Sequence, residues 1–467
     1  MTRGGVPAVG AAVGAAVVLA GAVLAWHAVR QEREFRRLIA AGDAALAGDR
    51  TFEAIEAFSG ALALHGESMV AHLKRGDSYR RRGELAAALR DIRQAAALDQ
   101  TAPRPAELLG DVNVAMGRYD RAAEHYRRFI SLDDRAPRVL YKLGLAIYRA
   151  GRPALAIDPL RRAIALDDKL TEAHYLLGVC LRERKASDAV RPLQRAVKLN
   201  PAFAPAREAL ADAYASLGRT RERIEQLEAL AALEPGRVER LVSVGTAYAG
   251  LGRTDAAIAA LGRAADRYPD DPVVYTALGR VWLEHAEVRD DTVSLGKAMA
   301  ALEPAAGRAA ASSDTLSLYG RAQFLSGDTG AAERTLQQAV ARLPVRPEAY
   351  LSLAAAAEQL GHLDLSRDAL VRYISLAGDA DEQRALSRQI ADLSLRLNDP
   401  ARALTWARRA LSAGADDGQD VPALTILADA QLRLGRVDEA GQTIQRGLAV
   451  EPRNVPLARL RRRMGRK

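Results

Sequence analysis

The chain has 467 residues, of which 49% are hydrophobic and 27% charged, and its formal net charge is +9. These proportions exclude wholesale disorder, and the single cysteine, Cys180, excludes a disulfide framework and a cysteine-rich zinc site. Aromatic residues make up only 5% of the chain, so we expect a core of many small contacts between closely packed helices. The arginines mostly alternate with acidic residues, which favours solvated helix faces over a specific nucleic-acid surface.

An uncharged segment of 23 residues, 6–28, lies near the start of the chain. Its length is that of a transmembrane helix, which needs about 20 mostly apolar residues, and Trp26 lies where an interfacial anchor is expected. A cleaved signal peptide is the alternative, with Ala20 and Ala22 at a candidate cleavage site, but the segment is longer than a usual signal core. We therefore expect residues 1–34 to form an uncleaved anchor with a basic juxtamembrane segment.

The arginines on either side of the anchor indicate its direction. One precedes the segment and four follow it: Arg3 before, and Arg30, Arg33, Arg36 and Arg37 after. Because basic residues concentrate on the cytoplasmic side, we expect a single-pass protein of a bacterial inner (cytoplasmic) membrane whose body lies in the cytoplasm. A periplasmic body stays an alternative, since a short basic amino terminus also fits that orientation.

The rest of the chain repeats itself every 34 residues. Glycines mark the period: Gly42, Gly76, Gly110, Gly144 and Gly178, then Gly245 and Gly279. Alanines follow twelve residues later, as at Ala88 and Ala156, and small residues of this kind lie where two helices cross. A second set of glycines stands where a left-handed helix end is expected: Gly83, Gly117, Gly151, Gly218, Gly252, Gly327, Gly361 and Gly435. Each repeat is therefore predicted to be two amphipathic helices joined by a turn.

This order of residues resembles the tetratricopeptide repeat (TPR). The seventh repeat carries it in full: Gly245, Tyr248, Gly252, Ala257, Leu261, Ala264 and Pro269. We place twelve repeats at 35–68, 69–102, 103–136, 137–170, 171–203, 204–237, 238–271, 272–312, 313–346, 347–380, 384–417 and 421–454. The resemblance implies an all-α fold, a right-handed α-solenoid of about twelve helix-turn-helix repeats at 35–454, preceded by one transmembrane helix.

Two features lie outside the regular repeat. Residues 455–467 are expected to form a capping segment and a basic tail, because an open end of a solenoid needs a polar cover. Seven extra residues in the eighth repeat, around 284–292, predict a longer surface loop.

No pattern of residues indicates catalysis. The seven histidines are scattered, without a metal-binding H-E-x-x-H motif, and the chain has no phosphate-binding loop. His72 and His174 share one position of the repeat, which indicates packing rather than metal ligation. Cys180 is expected to be a small buried residue rather than a nucleophile. We therefore expect no enzymatic activity, no cofactor and no metal.

The TPR resemblance implies a concave groove lined by the second, fifth, ninth, twelfth and thirteenth positions of each repeat. In repeats two to five these positions include Asp77, Arg80, Arg81, Asp111, Arg138, Tyr141, Tyr148, Arg149, Glu172, Tyr175, Arg182 and Glu183. Tyrosine and arginine are enriched at interaction hot spots, so our candidate partner site is Arg80, Arg81, Tyr141, Tyr148, Arg149, Tyr175 and Arg182. We expect an extended or helical peptide of acidic character there; the alternative is the solvated face of a rigid spacer.

Two groove chemistries known in TPR proteins are missing from these positions. The Lys and Asn clamp for a terminal carboxylate is absent, since the ninth positions read Asp43, Asp77, Asp111, Leu145 and Val179. The asparagine ladder of the O-linked N-acetylglucosamine transferases is absent too, because the chain has only four asparagines.

The sequence as a whole predicts a membrane-anchored scaffold or adaptor that recruits partner proteins through the groove. Gly10 and Gly14 form a G-x-x-x-G step that would pair two anchors. The alternatives are a periplasmic or secreted assembly scaffold after signal cleavage, and a substrate-docking subunit of an enzyme. The layout resembles that of the lipopolysaccharide assembly protein B family, but that family ends in a cysteine-ligated metal module, which a single cysteine excludes.

Overall fold

The computed structural model describes the backbone of residues 6–376, 380–412 and 419–464, with side chains over the same ranges except 6–16 and 380–381. The described ranges hold 25 α-helices and no strand. The helices divide between Leu233 and Glu234 into two compact units, here the amino-terminal and the carboxyl-terminal unit. The all-α class expected from the sequence is confirmed.

The amino-terminal unit contains twelve helices. They are α1 Val6–Ala47, α2 Thr51–Leu64, α3 Met69–Arg81, α4 Leu85–Leu98, α5 Pro103–Ala115, α6 Tyr119–Leu132, α7 Pro137–Arg149, α8 Pro153–Leu166, α9 Thr171–Arg182, α10 Ala186–Leu199, α11 Ala204–Ser216 and α12 Thr220–Leu233. Odd-numbered helices are the first helices of the repeats. Each packs against the helix that follows it, so the unit is a row of helical hairpins.

The carboxyl-terminal unit has the same construction. Its helices are α13 Val238–Gly250, α14 Thr254–Arg267, α15 Pro272–Arg289, α16 Thr292–Ala306, α17 Ser313–Leu325, α18 Thr329–Val340, α19 Glu348–Leu360, α20 Leu363–Leu376, α21 Ala380–Arg396, α22 Pro400–Ser412, α23 Val421–Arg433, α24 Val437–Val450 and α25 Val455–Met464. The last helix packs on α24, with Leu457 fully buried.

The glycines of the 34-residue period lie where the two helices of a hairpin approach most closely. A Cβ atom added to Gly144 would lie 2.7 Å from Cγ of Leu160, and one added to Gly279 would lie 2.4 Å from Cγ of Leu302. Both leucines are fully buried. In these two hairpins a bulky side chain of the second helix therefore packs directly on the first helix at its glycine. A methyl group at that glycine would have no room, because protein interiors are densely packed.

The turns between paired helices follow the sequence prediction. All eight glycines predicted at helix ends have positive φ, between 67° and 92°. Asp49, Asp290 and Asn398 take positive φ at the ends of α1, α15 and α21, which is consistent with the tolerance of Asp and Asn for this region.

The insertion in the eighth repeat lengthens a helix, so the prediction of a longer loop was wrong. Helix α15 has 18 residues and continues to Arg289, and only Asp290 and Asp291 separate it from α16. The extra turn is held by the core, since Leu283 and Ala286 are buried. No glycine or proline occurs between Arg280 and Arg289, so the helical spacing of apolar residues continues.

Helix α1 runs without a break from Val6 to Ala47, through the predicted anchor and into the first repeat. Within the residues that the structure describes, no helix is both long and apolar enough to cross a membrane. The first part of the predicted anchor, including Gly10 and Gly14, lies outside the described side chains.

Candidate functional site

Three tyrosines on the first helices of two successive repeats form one surface, here called the tyrosine face: Tyr141 and Tyr148 on α7 and Tyr175 on α9. Each ring is half-buried and packs against the core of the amino-terminal unit. The apolar stripe of α7, including Leu140 and Leu143, turns inward, so the neighbouring tyrosines lie at its edge. The fold therefore holds the three rings in place before any partner arrives.

The hydroxyls of the tyrosine face make no hydrogen bond to the described residues. Elsewhere in the unit, the hydroxyl of Tyr126 donates to Oδ1 of Asp111 at 2.7 Å, and that of Tyr214 accepts from Nε2 of Gln194 at 2.9 Å. Burial raises the pKa of Tyr141, and the carboxylate of Glu172 raises it further. The Tyr141 hydroxyl therefore keeps its proton at neutral pH and can donate a hydrogen bond.

The tyrosine face is joined to the next repeat by an aromatic contact. The rings of Tyr175 and Phe203 meet edge to face, with centroids 5.2 Å apart and planes at 78°. Burial raises the pKa of Tyr175, and its proximity to Tyr148 adds to the effect. Such pairs contribute about 0.5–1.5 kcal/mol beyond their buried area, so Phe203 helps to fix the orientation of Tyr175.

The two predicted arginines beside the tyrosine face differ in their partners. Arg182 pairs with Asp212 on α11, with 2.7 Å between Nη1 and Oδ2. Arg149 is exposed and makes no ion pair with the described residues; its guanidinium lies over the ring of Tyr119, 5.9 Å from the centroid. Of the predicted arginines, Arg149 is therefore the one that a partner's carboxylate can bind without displacing a carboxylate of this chain.

The other two predicted arginines are engaged within their own helix. Nη2 of Arg80 lies 2.7 Å from Oδ1 of Asp77, and Nε of Arg81 lies 3.2 Å from its Oδ2. Neither contacts the tyrosine face through any described side chain. The structure thus divides the predicted site, and α7 and α9 carry the part that comes together.

Sequence reasoning missed a lysine that links the first helices of two repeats. Nζ of Lys142 on α7 lies 2.7 Å from Glu107 and 2.8 Å from Asp111, both on α5. Burial raises the pKa of Glu107, but Lys142 and Arg104 outweigh this and hold it below its ordinary value. The sequence spacing could have indicated this ion pair, because Lys142 follows Asp111 by 31 residues.

The same spacing recurs two repeats earlier. Asp43 and Lys74 are also 31 residues apart and form an ion pair, with Oδ2 2.6 Å from Nζ. In both cases an aspartate at the ninth position of one repeat meets a lysine at the sixth position of the next. These ninth-position aspartates are therefore engaged with the neighbouring helix.

His72, His174 and Cys180 lie where packing explains them. Nε2 of His72 lies 3.0 Å from the carbonyl of Gly66, and Nε2 of His174 lies 3.0 Å from that of Asp168, so the shared repeat position makes the same contact twice. Cys180 is fully buried, and burial raises the pKa of its thiol to about 12. No group of three metal-ligating side chains occurs in the described part of the chain.

Comparison with known families agrees with this arrangement of hairpins. A family model described as tetratricopeptide repeat matches residues 39–103, 108–170, 318–385 and 388–456, which is more than half of the chain. The chain belongs to the TPR family. A second TPR model matches 238–281, within the seventh and eighth repeats.

Solved TPR structures are similar to parts of the chain. YrrB, described as a TPR protein with an unusual peptide-binding site, is 23% identical, with 40% of this chain and 97% of YrrB covered and a TM-score of 0.37. MamA is 31% identical over 34% of this chain and 95% of its own, with a TM-score of 0.32. The carboxyl-terminal part of a TPR protein from Cytophaga hutchinsonii is 19% identical over 52% and 99%, with a TM-score of 0.46. No curated protein matches the chain.

TPR proteins generally bind other proteins or peptides. In the TPR order, Tyr141 and Tyr175 occupy the fifth position of repeats four and five, and Tyr148 the twelfth. The tyrosine face is therefore our candidate binding site.

Proposed function

We propose that this TPR protein is a membrane-anchored scaffold that binds a partner protein through the tyrosine face. The observation that carries the proposal is the set of three half-buried rings whose hydroxyls have no partner among the described residues. Tyrosines presented in this way supply contact area at low entropic cost, and each adds a hydrogen-bond donor. The protein then acts by recruitment rather than by catalysis.

The charge around the tyrosine face refines the expected partner. Two arginines, Arg149 and Arg182, and three carboxylates, those of Glu172, Glu208 and Asp212, lie near the three rings. The surface as a whole therefore gives no general preference for an acidic chain. We propose one acidic side chain in the partner, placed at Arg149, with the tyrosine rings contacting its apolar neighbours.

Membrane anchoring is the second part of the proposal. Apolar side chains of α1 stand exposed along one stretch: Val17, Val18, Leu19, Val23 and Leu24. A lipid phase is the ordinary cover for such a stretch. The guanidinium of Arg30 lies 5.4 Å from the centroid of the Trp26 ring, a pairing suited to the interface where the anchor ends.

The arginines that follow the segment favour a cytoplasmic body. A reporter fused to the carboxyl terminus tests this orientation. Activity of a cytoplasmic reporter supports it, whereas activity of a periplasmic reporter selects the assembly-scaffold alternative.

Site-specific photo-crosslinking tests the binding site. Arg138 on α7 and Arg161 on α8 are exposed arginines of the same repeat, so a benzophenone amino acid at each gives a matched pair. We expect an adduct with a defined partner from position 138 and not from position 161. Tyr148→Ala and Arg149→Ala should each lower the yield at position 138 several-fold, because hot-spot residues cost about 2 kcal/mol or more when truncated.

Equal adducts from both positions, or a yield that the two variants leave unchanged, would remove the tyrosine face as the binding site. If the adduct contains an enzyme, the substrate-docking alternative gains support over a general scaffold. The likeness in layout to lipopolysaccharide assembly protein B adds no cofactor to the proposal, since the chain has one cysteine.

A further inference from the structure

The carboxyl-terminal unit contains a cavity of about 690 Å³, here called the arginine-rimmed cavity. It lies among the first helices α13, α15 and α17 and the segment 307–312 that leads into α17. Its volume is within the range of about 300–1,000 Å³ that is usual for ligand sites. None of the three tyrosines of the tyrosine face lines this cavity.

The floor of the arginine-rimmed cavity is apolar. Pro272, Val273, Ala277, Ala305 and Ala311 line it, and Ala277, Ala305 and Ala311 are buried. These side chains are short, so they leave open the volume that larger residues would fill. The floor therefore fits aliphatic side chains.

Threonine hydroxyls in the wall are already engaged. Oγ1 of Thr276 lies 2.9 Å from Oγ1 of Thr315, and it also donates to the carbonyl of Pro272 at 2.7 Å. Oγ1 of Thr246 donates to the carbonyl of Val242 at 3.0 Å. These hydroxyl protons are therefore already used within the unit.

The rim carries three cations and one anion. Nη2 of Arg280 lies 2.5 Å from Oδ2 of Asp314, and Nε of Arg346 lies 3.4 Å from Oδ1 of the same carboxylate. Arg308 donates to the carbonyl of Asp270. One carboxylate is thus shared by two guanidinium groups, and a guanidinium has five N–H donors. A second carboxylate fits the rim electrostatically.

We propose that the arginine-rimmed cavity binds a peptide segment in which one glutamate or aspartate is flanked by aliphatic side chains. The carboxylate lies between Arg280 and Arg346, and the aliphatic side chains enter the apolar floor. The carboxylate belongs to a side chain within the segment and not to a chain end. The site needs neither the tyrosine face nor the membrane anchor, so it stands if either of those is rejected.

The test uses the full chain in lipid nanodiscs and two fluorescent peptides with both ends blocked. One reads Leu-Val-Glu-Leu-Val and the other Leu-Val-Gln-Leu-Val, and fluorescence anisotropy gives their dissociation constants. We expect the glutamate peptide to bind about tenfold or more tightly, because a hydrogen bond to a charged group contributes about 1.5–3 kcal/mol. Arg346→Gln, a change at a side chain that is 60% exposed, should abolish that difference.

Asp314→Asn is the decisive variant, because it removes the carboxylate that competes for the arginines. We expect it to tighten binding of the glutamate peptide, an effect that misfolding does not produce. Arg334→Gln changes an exposed arginine on α18 that does not line the cavity; it is the matched control for Arg346→Gln and should change neither dissociation constant.

The proposal is overturned if neither peptide binds at millimolar concentration, if both bind equally, or if Asp314→Asn weakens the glutamate peptide. Displacement of a bound peptide by decanoate, which also joins a carboxylate to an aliphatic chain, supports the chemistry of the site. Binding of decanoate without binding of either peptide overturns the peptide assignment.

Discussion

The tyrosine face and the arginine-rimmed cavity use the same positions of the repeat and differ in what fills them. At the fifth position, repeats four and five have Tyr141 and Tyr175, whereas repeats seven and eight have Val242 and Thr276. The tyrosine rings pack on the core, while Val242 and Thr276 are among the residues that line the arginine-rimmed cavity. The side chain at the fifth position thus contributes to a surface in one region and to a cavity wall in the other.

The polar groups of the two regions differ in the same way. The tyrosine hydroxyls have no partner among the described residues, whereas Thr276 and Thr315 share a hydrogen bond. Carboxylates are at least as numerous as arginines beside the tyrosine face, whereas three arginines and one carboxylate, Asp314, line the cavity rim. The first region therefore suits recognition by rings and hydroxyls, and the second suits recognition by charge and aliphatic volume.

The largest expected effect tests whether the two regions depend on separate folding units. Gly144→Ala places a Cβ 2.7 Å from Cγ of Leu160, and Gly279→Ala places one 2.4 Å from Cγ of Leu302. Each should lower the free energy of unfolding by about 2–3 kcal/mol, the upper part of the usual range for overpacking. Hydrogen exchange should speed up around α7–α8 in the first variant and around α15–α16 in the second.

Gly262→Ala on α14 is the control. Nothing outside its own helix lies within 4 Å of the added Cβ, so the variant should gain up to about 1 kcal/mol from helix propensity. If Gly144→Ala speeds up hydrogen exchange equally in both units, the two units unfold together, and the tyrosine face and the cavity do not depend on separate folding units.

Most of the repeat architecture could be predicted because it depends on local packing. The glycines at 34-residue spacing and the eight turn glycines reflect local steric needs of the hairpins in which they occur. The insertion was wrongly interpreted as a loop because the extra turn of α15 is held by burial of Leu283 and Ala286, which depends on neighbouring repeats.

The candidate site was predicted in part. The three tyrosines of the predicted set pack on one core, whereas Arg80 and Arg81 pair with Asp77 in their own helix. Ion pairs of this kind form between residues three or four apart on one helix, and the position of a residue in the repeat does not predict them. If the groove positions had also been assigned in the repeats after the fifth, they would have included Thr276 and Arg280. The cavity that these residues line could not have been predicted in this way.

A second prediction compares two glutamates, buried Glu107 and the more exposed Glu287, one in each unit. In the amino-terminal unit, burial raises the pKa of Glu107 but the ion pairs with Lys142 and Arg104 outweigh it, so the net shift is downward. In the carboxyl-terminal unit, burial raises the pKa of Glu287 above its usual value, and the ion pair with Arg321 does not offset it. Glu107→Gln should lower the stability of its unit at pH 7 by about 1.5 kcal/mol, because charge-assisted hydrogen bonds are lost.

The dependence on pH has opposite signs for the two groups. Glu107 stabilises its unit above the unfolded pKa of about 4.3, and this contribution is lost as pH falls through the lower folded value. Glu287 costs stability at neutral pH, and protonation removes that cost. Urea midpoints at pH 7 and about pH 3 check both: Glu107→Gln should flatten the acid-induced loss, and Glu287→Gln should leave stability at pH 7 unchanged or raise it. A fall of stability in Glu287→Gln at pH 7 contradicts this assignment.

The smallest expected effect removes one hydroxyl from each region. Thr276→Val keeps the shape of the side chain but loses the hydrogen bond to Thr315, so the free energy of unfolding should fall by up to about 1 kcal/mol. Tyr175→Phe keeps the ring contact with Phe203 and removes a hydroxyl that has no partner among the described residues, so stability should change by less than about 0.5 kcal/mol. The photo-adduct from position 138 should nevertheless decrease in Tyr175→Phe, because that hydroxyl is free to bond a partner. An unchanged adduct would mean that the tyrosine face binds through its rings alone, and the contrast with the cavity would then be one of shape and charge.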